Sequence, residues 1–158
     1  MDLKFQVQTR IQKPIDEVFD GVVNPKKLSG YFVREASGPL AEGSRVKWLF
    51  PEFEDEVFVD VKQVVRNERI TFAWGAEGGA YDTRVDVVFK PLGNNATLLQ
   101  ISESGWQDTE TGRNASYGNC GGWMHMSMCL KAYLEHGINL RVGSVHVEAH
   151  ENLTPRKD

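Results

Sequence analysis

The chain has 158 residues, a formal charge of -4 from 18 basic and 22 acidic side chains, and two cysteines. That length fits one domain, and a domain of this size buries roughly 70% of its unfolded surface, enough for a real core. The two signs of charge are interspersed without a basic block, which argues against a nucleic-acid or anionic-membrane footprint.

The opening MDLKFQVQTRIQ alternates polar and apolar residues, so it holds no hydrophobic stretch of a signal peptide. No run approaches the ~20 apolar residues of a membrane span. The expected location is the cytoplasm, and the Asn-x-Ser/Thr triplets at Asn95, Asn114 and Asn152 then read as chance matches.

Leu3, Phe5, Val7, Thr9 and Ile11 keep the period-two pattern of a strand with one buried face. Pro14 opens a helix whose apolar stripe is Ile15, Val18, Phe19, Val22 and Val23, and Asn24-Pro25 starts a short second helix over Lys26 to Ser29. Phe32 to Ala36 reads as a weak strand ended by Gly38-Pro39. Stronger strands follow around Val46, Trp48 and Phe50, then Val57, Val59 and Val61, then Ile70, Phe72 and Trp74. Two more run through Tyr81, Thr83, Val85, Val87 and Phe89, and through Thr97, Leu99 and Ile101. Between Trp74 and Tyr81 the loop GAEGGA, Gly75 to Ala80, lacks the Lys-Ser/Thr and following helix of a phosphate loop, so it reads as a mobile hairpin connection.

The segment Gly121 to Arg141 carries the one long helical period, with Trp123, Met126, Ser127, Leu130, Tyr133 and Leu134 on a single side. Gly137 is its stop signal. Its start lies near Thr111 to Asn114, or at a break just before Trp123; from Asn114 to His136 it would be roughly 35 Å long. Gly118, Gly121 and Gly122 each cost it about 1 kcal/mol relative to alanine, which a close approach to a strand or ligand would explain. Strands joined by tight turns pair as an antiparallel meander whose apolar face needs a cover, and this helix is the element long enough to provide it. The expected fold is therefore α+β: a curved antiparallel sheet wrapped around a long C-terminal helix, with two short helices after the first strand. A curved sheet does not close on a helix along its full length, so one end should leave a cavity.

Residues 1–140 form the expected single domain and 141–158 a polar tail, in which Val145, Val147 and Ala149 allow a brief edge strand. If helical, Cys120 and Cys129 are separated by about 13 Å, beyond the ~7 Å reach of a disulfide, so both read as free, inert thiols. His146-x-Glu148-x-His150 is not a recognised zinc spacing and reads as solvated tail, while His125 and His136 fall on the helix side away from the buried stripe. Neither metal nor cofactor is expected.

The element order, with GGW opening the last helix, CLKAYLEHGINLR continuing it, and ITFAW and ISESGW in the sheet, resembles the activator of Hsp90 ATPase homologue 1-like family over roughly residues 3–140. That family belongs to the START/Bet v 1-like (SRPBCC) superfamily of helix-grip folds. The resemblance implies a single START/Bet v 1-like domain with a hydrophobic cavity between sheet and helix, related to one domain of the eukaryotic Hsp90 co-chaperone, and in other branches to lipid carriers and aromatic polyketide cyclases. It also implies that Ser127 stands where such proteins usually carry leucine.

Candidate ligand-binding residues are Trp48, Trp74, Tyr81, Phe89, Trp106, Tyr117 and Trp123, with Ser127 from the helix. Glu103 joins them because strict alternation with Leu99 and Ile101 points it inward, where a lone carboxylate is costly. Ser104 and Ser116 have no base at a recognisable offset, and no catalytic residue emerges. The expected function is binding of a small apolar or aromatic ligand. The rivals are a co-chaperone-like contact or self-association through Met124 and Met128 on the exposed flank of the helix, and cyclase- or hydrolase-like chemistry in the same cavity.

Overall fold

The structure, a computed structural model, describes residues 2–146. Strand β1 (Leu3–Ile11) leads into helices α1 (Ile15–Val23) and α2 (Pro25–Leu28). Six strands follow: β2 (Glu35–Ala36), β3 (Arg45–Leu49), β4 (Glu56–Val65), β5 (Arg69–Ala76), β6 (Tyr81–Pro91) and β7 (Thr97–Trp106). One continuous helix, α3 (Glu110–His136), is the last regular element of the described residues. The Asn24 start signal acts as expected, its side chain accepting from the Lys26 N–H at 3.0 Å to cap α2. Helix α3 starts just ahead of the expected Thr111 to Asn114 and has no break before Trp123; the Thr109 hydroxyl accepts from the Gly112 N–H at 3.0 Å and caps it.

The seven strands form one antiparallel sheet in the order β1-β7-β6-β5-β4-β3-β2, so the first strand closes the meander beside the last. The sheet curves, and α3 lies mainly along β1 and β7. Its Trp123, Met126, Ser127 and Leu130 are buried against the sheet, as the helical period requires. At the far end α1 packs closely on α3: a Cβ added to Gly21 would come within 3.1 Å of the Leu130 side chain.

Two features differ from the sequence expectation. Only Glu35–Ala36 of the segment Phe32 to Ala36 is strand; Tyr31, Phe32 and Val33 are buried in the turn after α2, where the Tyr31 hydroxyl donates to the Gly21 carbonyl at 2.9 Å. The GAEGGA segment does make the expected hairpin connection: Gly75 and Ala76 end β5, and a 3-10 turn over Glu77–Gly79 with left-handed Gly78 and Gly79 leads into β6. In β7 the alternation breaks at Gly105, whose φ of +106° suits glycine. Glu103 and Trp106 are consequently both buried, although three positions separate them.

Candidate functional site

Glu103 anchors the site. Its register partner on β6 is Val85, and one inward position further along β6 lies Thr83, which pairs with Trp74 of β5. Helix α3 brings Asn119 and Trp123, one turn apart, over the same point. Glu103 is 1% exposed and ringed by neutral donors. Trp74 Nε1 and the Thr83 hydroxyl donate to Oε2 at 2.9 and 2.6 Å, Trp123 Nε1 donates to Oε1 at 2.8 Å, and Asn119 Nδ2 lies 3.1 Å from each oxygen. Such charge-assisted bonds are what make a buried carboxylate tolerable.

Trp74, Asn119 and Trp123 turn their other surfaces to an open cavity of about 510 Å³. Phe32, Phe50 and Phe53 form its aromatic wall opposite the helix. On the helix side the wall is Gly118, Gly121 and Gly122, with His125 one turn further on. A Cβ added to any of the three glycines would meet nothing within 4 Å. The expected close approach of a strand to these glycines is therefore absent; they widen the cavity instead.

The remaining wall comes from the chain after α3. Gly137 takes the left-handed conformation that ends the helix, and the Asn139 side chain accepts from the N–H groups of Arg141 and Val142, turning the chain back. Arg141 is 8% exposed, forked onto Glu52 with its guanidinium 5.4 Å from the Phe32 ring and 5.3 Å from that of Phe50. Arg141, Ser144 and Val145 thus belong to the cavity wall.

His125 Nε2 lies 3.0 Å from the Ser144 hydroxyl, which itself donates to the Arg141 carbonyl at 2.8 Å. The single hydroxyl proton is spent on that carbonyl, so Nε2 carries the imidazole proton and donates to Ser144. Burial first, then the positive charge of Arg141, lowers the pKa of His125 against an opposing pull from Glu52, which favours the neutral ring. Burial raises the pKa of the neighbouring Cys129 thiol, with Arg141 opposing and Glu52 assisting. His125 had been expected in solvent; it is half-buried because residues 141–145 fold back over its face of the helix. His136 is exposed, as expected.

With this geometry in view, comparison with known proteins is decisive about the family. The sequence model described as Activator of Hsp90 ATPase homolog 1-like protein matches residues 12–135. The chain belongs to this family. Among curated proteins none matches it in sequence. Solved structures share the fold: protein SSP2350 from Staphylococcus saprophyticus is 24% identical with a TM-score of 0.76, covering 88% of this chain and 96% of that one. CalU16 from Micromonospora echinospora is 21% identical with a TM-score of 0.68, covering 85% and 75%. The Aha1 dimer from Colwellia psychrerythraea is 16% identical with a TM-score of 0.71, covering 85% and 98%. The helix-grip architecture expected from the resemblance is thus the observed one.

Within this family member the nine residues proposed from sequence separate into three places. Trp74 and Trp123 line the cavity and Glu103 holds both from behind. Trp48 and Ser127 lie in the core without reaching the cavity; Trp48 packs among Phe32, Phe50, Phe72 and Trp74, and the Ser127 hydroxyl donates to the Trp123 carbonyl at 2.9 Å. The others lie elsewhere: Phe89 against Phe19, Trp106 stacked on Phe5, Tyr81 bonded to Glu77 and to the Gln107 N–H, and Tyr117 69% exposed.

Sequence reasoning missed Phe32, Phe50, Phe53, Asn119, His125 and Arg141. One signal was legible: positions 118, 121, 122 and 125 share a helix face, and its lack of side chains marks missing volume. No group of three or more metal-type ligands occurs among the described residues. Glu148 and His150 of the tail triplet, and Val147 and Ala149 of the suggested edge strand, lie outside the described residues. No described helix is long and apolar enough to cross a membrane.

Proposed function

We propose that this protein binds a small, largely aromatic molecule in the cavity between Trp74, Trp123 and the Phe32–Phe50–Phe53 wall. The observation that carries the reading is an aromatic-walled space of about 510 Å³ beside a helix face made of glycine, a size and lining typical of small-molecule sites. Glu103 serves this reading as a holder rather than a reactant, since its two oxygens are occupied by Trp74, Thr83, Asn119 and Trp123. Native mass spectrometry of the protein purified from its own cells should show a bound mass that leaves on denaturation. Only the bare chain mass, together with no binding of naphthalene or 2-naphthol by equilibrium dialysis, would refute the proposal.

A second reading rests on a different surface. Tyr117, Met124 and Met128 are exposed on α3 at spacings of seven and four, a continuous stripe suited to an adaptable protein contact. The Colwellia relative is described as a dimer. Sedimentation of the parent and of Met124→Lys/Met128→Lys tests self-association, and a pull-down with the cell's Hsp90 tests a chaperone partner. A monomeric parent that retains no Hsp90 removes this reading.

A further inference from the structure

The polar end of the cavity has a defined hydrogen-bonding sense, and Glu103 sets it. The indole N–H groups of Trp74 and Trp123 can only donate, and each addresses a different oxygen of Glu103, so both oxygens act as acceptors. The group that Asn119 turns toward them must then be its NH₂, at 3.1 Å from each oxygen. Its carbonyl oxygen is left on the opposite side of the amide, and among the described residues nothing donates to it, while Asn119 itself lines the cavity. The orientation of the amide therefore follows from the acceptor-only character of the carboxylate rather than from an arbitrary choice of flip.

The indole, hydroxyl and imidazole donors at this end are likewise spent within the protein. Both indole N–H groups are spent on Glu103, the Ser144 proton on the Arg141 carbonyl and the His125 Nε2 proton on Ser144. Arg141 is a cation in the wall, but Glu52 matches its charge through a two-point fork. The aromatic faces present negative π clouds, and Glu103 sits at the N–H edge of two of the rings. A ligand carboxylate entering here would lose its hydration and meet an acceptor. A ligand hydroxyl would gain one.

We infer that the ligand is an uncharged aromatic molecule carrying a hydroxyl group, which donates its proton to the Asn119 side-chain carbonyl, and that Glu103 is the positioning residue for that recognition. The inference rests on the binding function proposed above and adds the ligand's chemistry.

Three probes of one ring system test it by equilibrium dialysis at pH 7: naphthalene, 2-naphthol and ionised 2-naphthoate. One net hydrogen bond corresponds to roughly a three- to tenfold gain, so 2-naphthol should bind tighter than naphthalene by that factor and 2-naphthoate weakest of the three. In Asn119→Ala the preference of naphthol over naphthalene should vanish while naphthalene still binds. Equal binding of naphthol and naphthalene by the parent, or naphthoate binding as well as naphthol, overturns the inference and leaves the binding function standing. A naphthol preference that survives in Asn119→Ala overturns the role of Asn119. Failure of all three probes to bind overturns the inference, and together with a bare chain mass in native mass spectrometry it overturns the binding function as well.

Discussion

Arg141 and Glu52 meet across 89 positions of sequence, Nε to Oε1 at 3.0 Å and Nη2 to Oε2 at 3.1 Å. This fork ties the segment after α3 to the loop between β3 and β4, and the segment forms one wall of the cavity. A pair locked inside a rigid core costs about 3–5 kcal/mol when one partner is removed. Without Arg141 the segment would lose this tie and let water reach Glu52. Arg141→Ala should therefore cost only about 1–2 kcal/mol in urea unfolding. Amide hydrogen exchange in residues 138–146 should rise while β6 and β7 stay protected; an unchanged exchange pattern would show that Arg141 is not the latch.

Removing the carboxylate is a different matter, because Trp74, Thr83 and Trp123 would be left as donors without an acceptor. Unsatisfied buried groups cost about 1–3 kcal/mol each, so Glu103→Ala should destabilise by at least about 3 kcal/mol. Glu103→Gln keeps one acceptor oxygen but sets an NH₂ against a donor, and should fall between the two. Urea titration gives the energies, and near-UV circular dichroism reports whether the two indoles lose their fixed setting.

The glycine face trades helix stability for volume. No added Cβ would touch a neighbour at Gly122, and its φ is not left-handed. Gly122→Ala should then raise stability by about 1 kcal/mol. Gly122→Leu should fill the cavity and weaken aromatic probes at least tenfold without loss of fold. Undiminished probe binding in the leucine variant would place the ligand elsewhere.

His125 makes stability depend on pH. Its folded pKa lies below the ordinary 6.5, burial being the first cause and Arg141 the second. As pH falls below 6.5 the unfolded chain takes up a proton at this position before the folded one does. The contribution is complete above 6.5, is lost as pH falls toward the folded value, and changes no further below it. Between pH 7.5 and 5.5 the parent should lose more stability than His125→Asn, which itself should cost about 1 kcal/mol at pH 7.5 for the lost bond to Ser144. Parallel pH curves for the two proteins would contradict this.

Much of the architecture was legible because local periodicity reports which side of an element faces the core. Alternation identified β1 and β3 to β7, turned Glu103 inward beside Leu99 and Ile101, and the three-four spacing on α3 selected Trp123, Met126, Ser127 and Leu130 as its buried side. Gly137 ended the helix where its position indicated. These features depend on a few neighbouring residues, so the chain's own order contains them.

Which end of the core stays open is not a local property. Phe89, Trp106 and Trp74 all satisfy the same inward pattern or its neighbourhood, yet only Trp74 reaches the cavity, because strand pairing and sheet curvature decide what lies opposite each residue. Gly105 shifts the phase of β7 through a backbone angle that composition does not reveal. Arg141 looked like the first residue of a polar tail; its burial arises from Glu52 and two phenylalanine rings far away in sequence. Sequence by itself determined the elements, their buried faces and the inward carboxylate. Tertiary structure alone decided that Glu103 has four donors and that residues 141–145 wall the site, since both depend on contacts between segments that no local pattern couples.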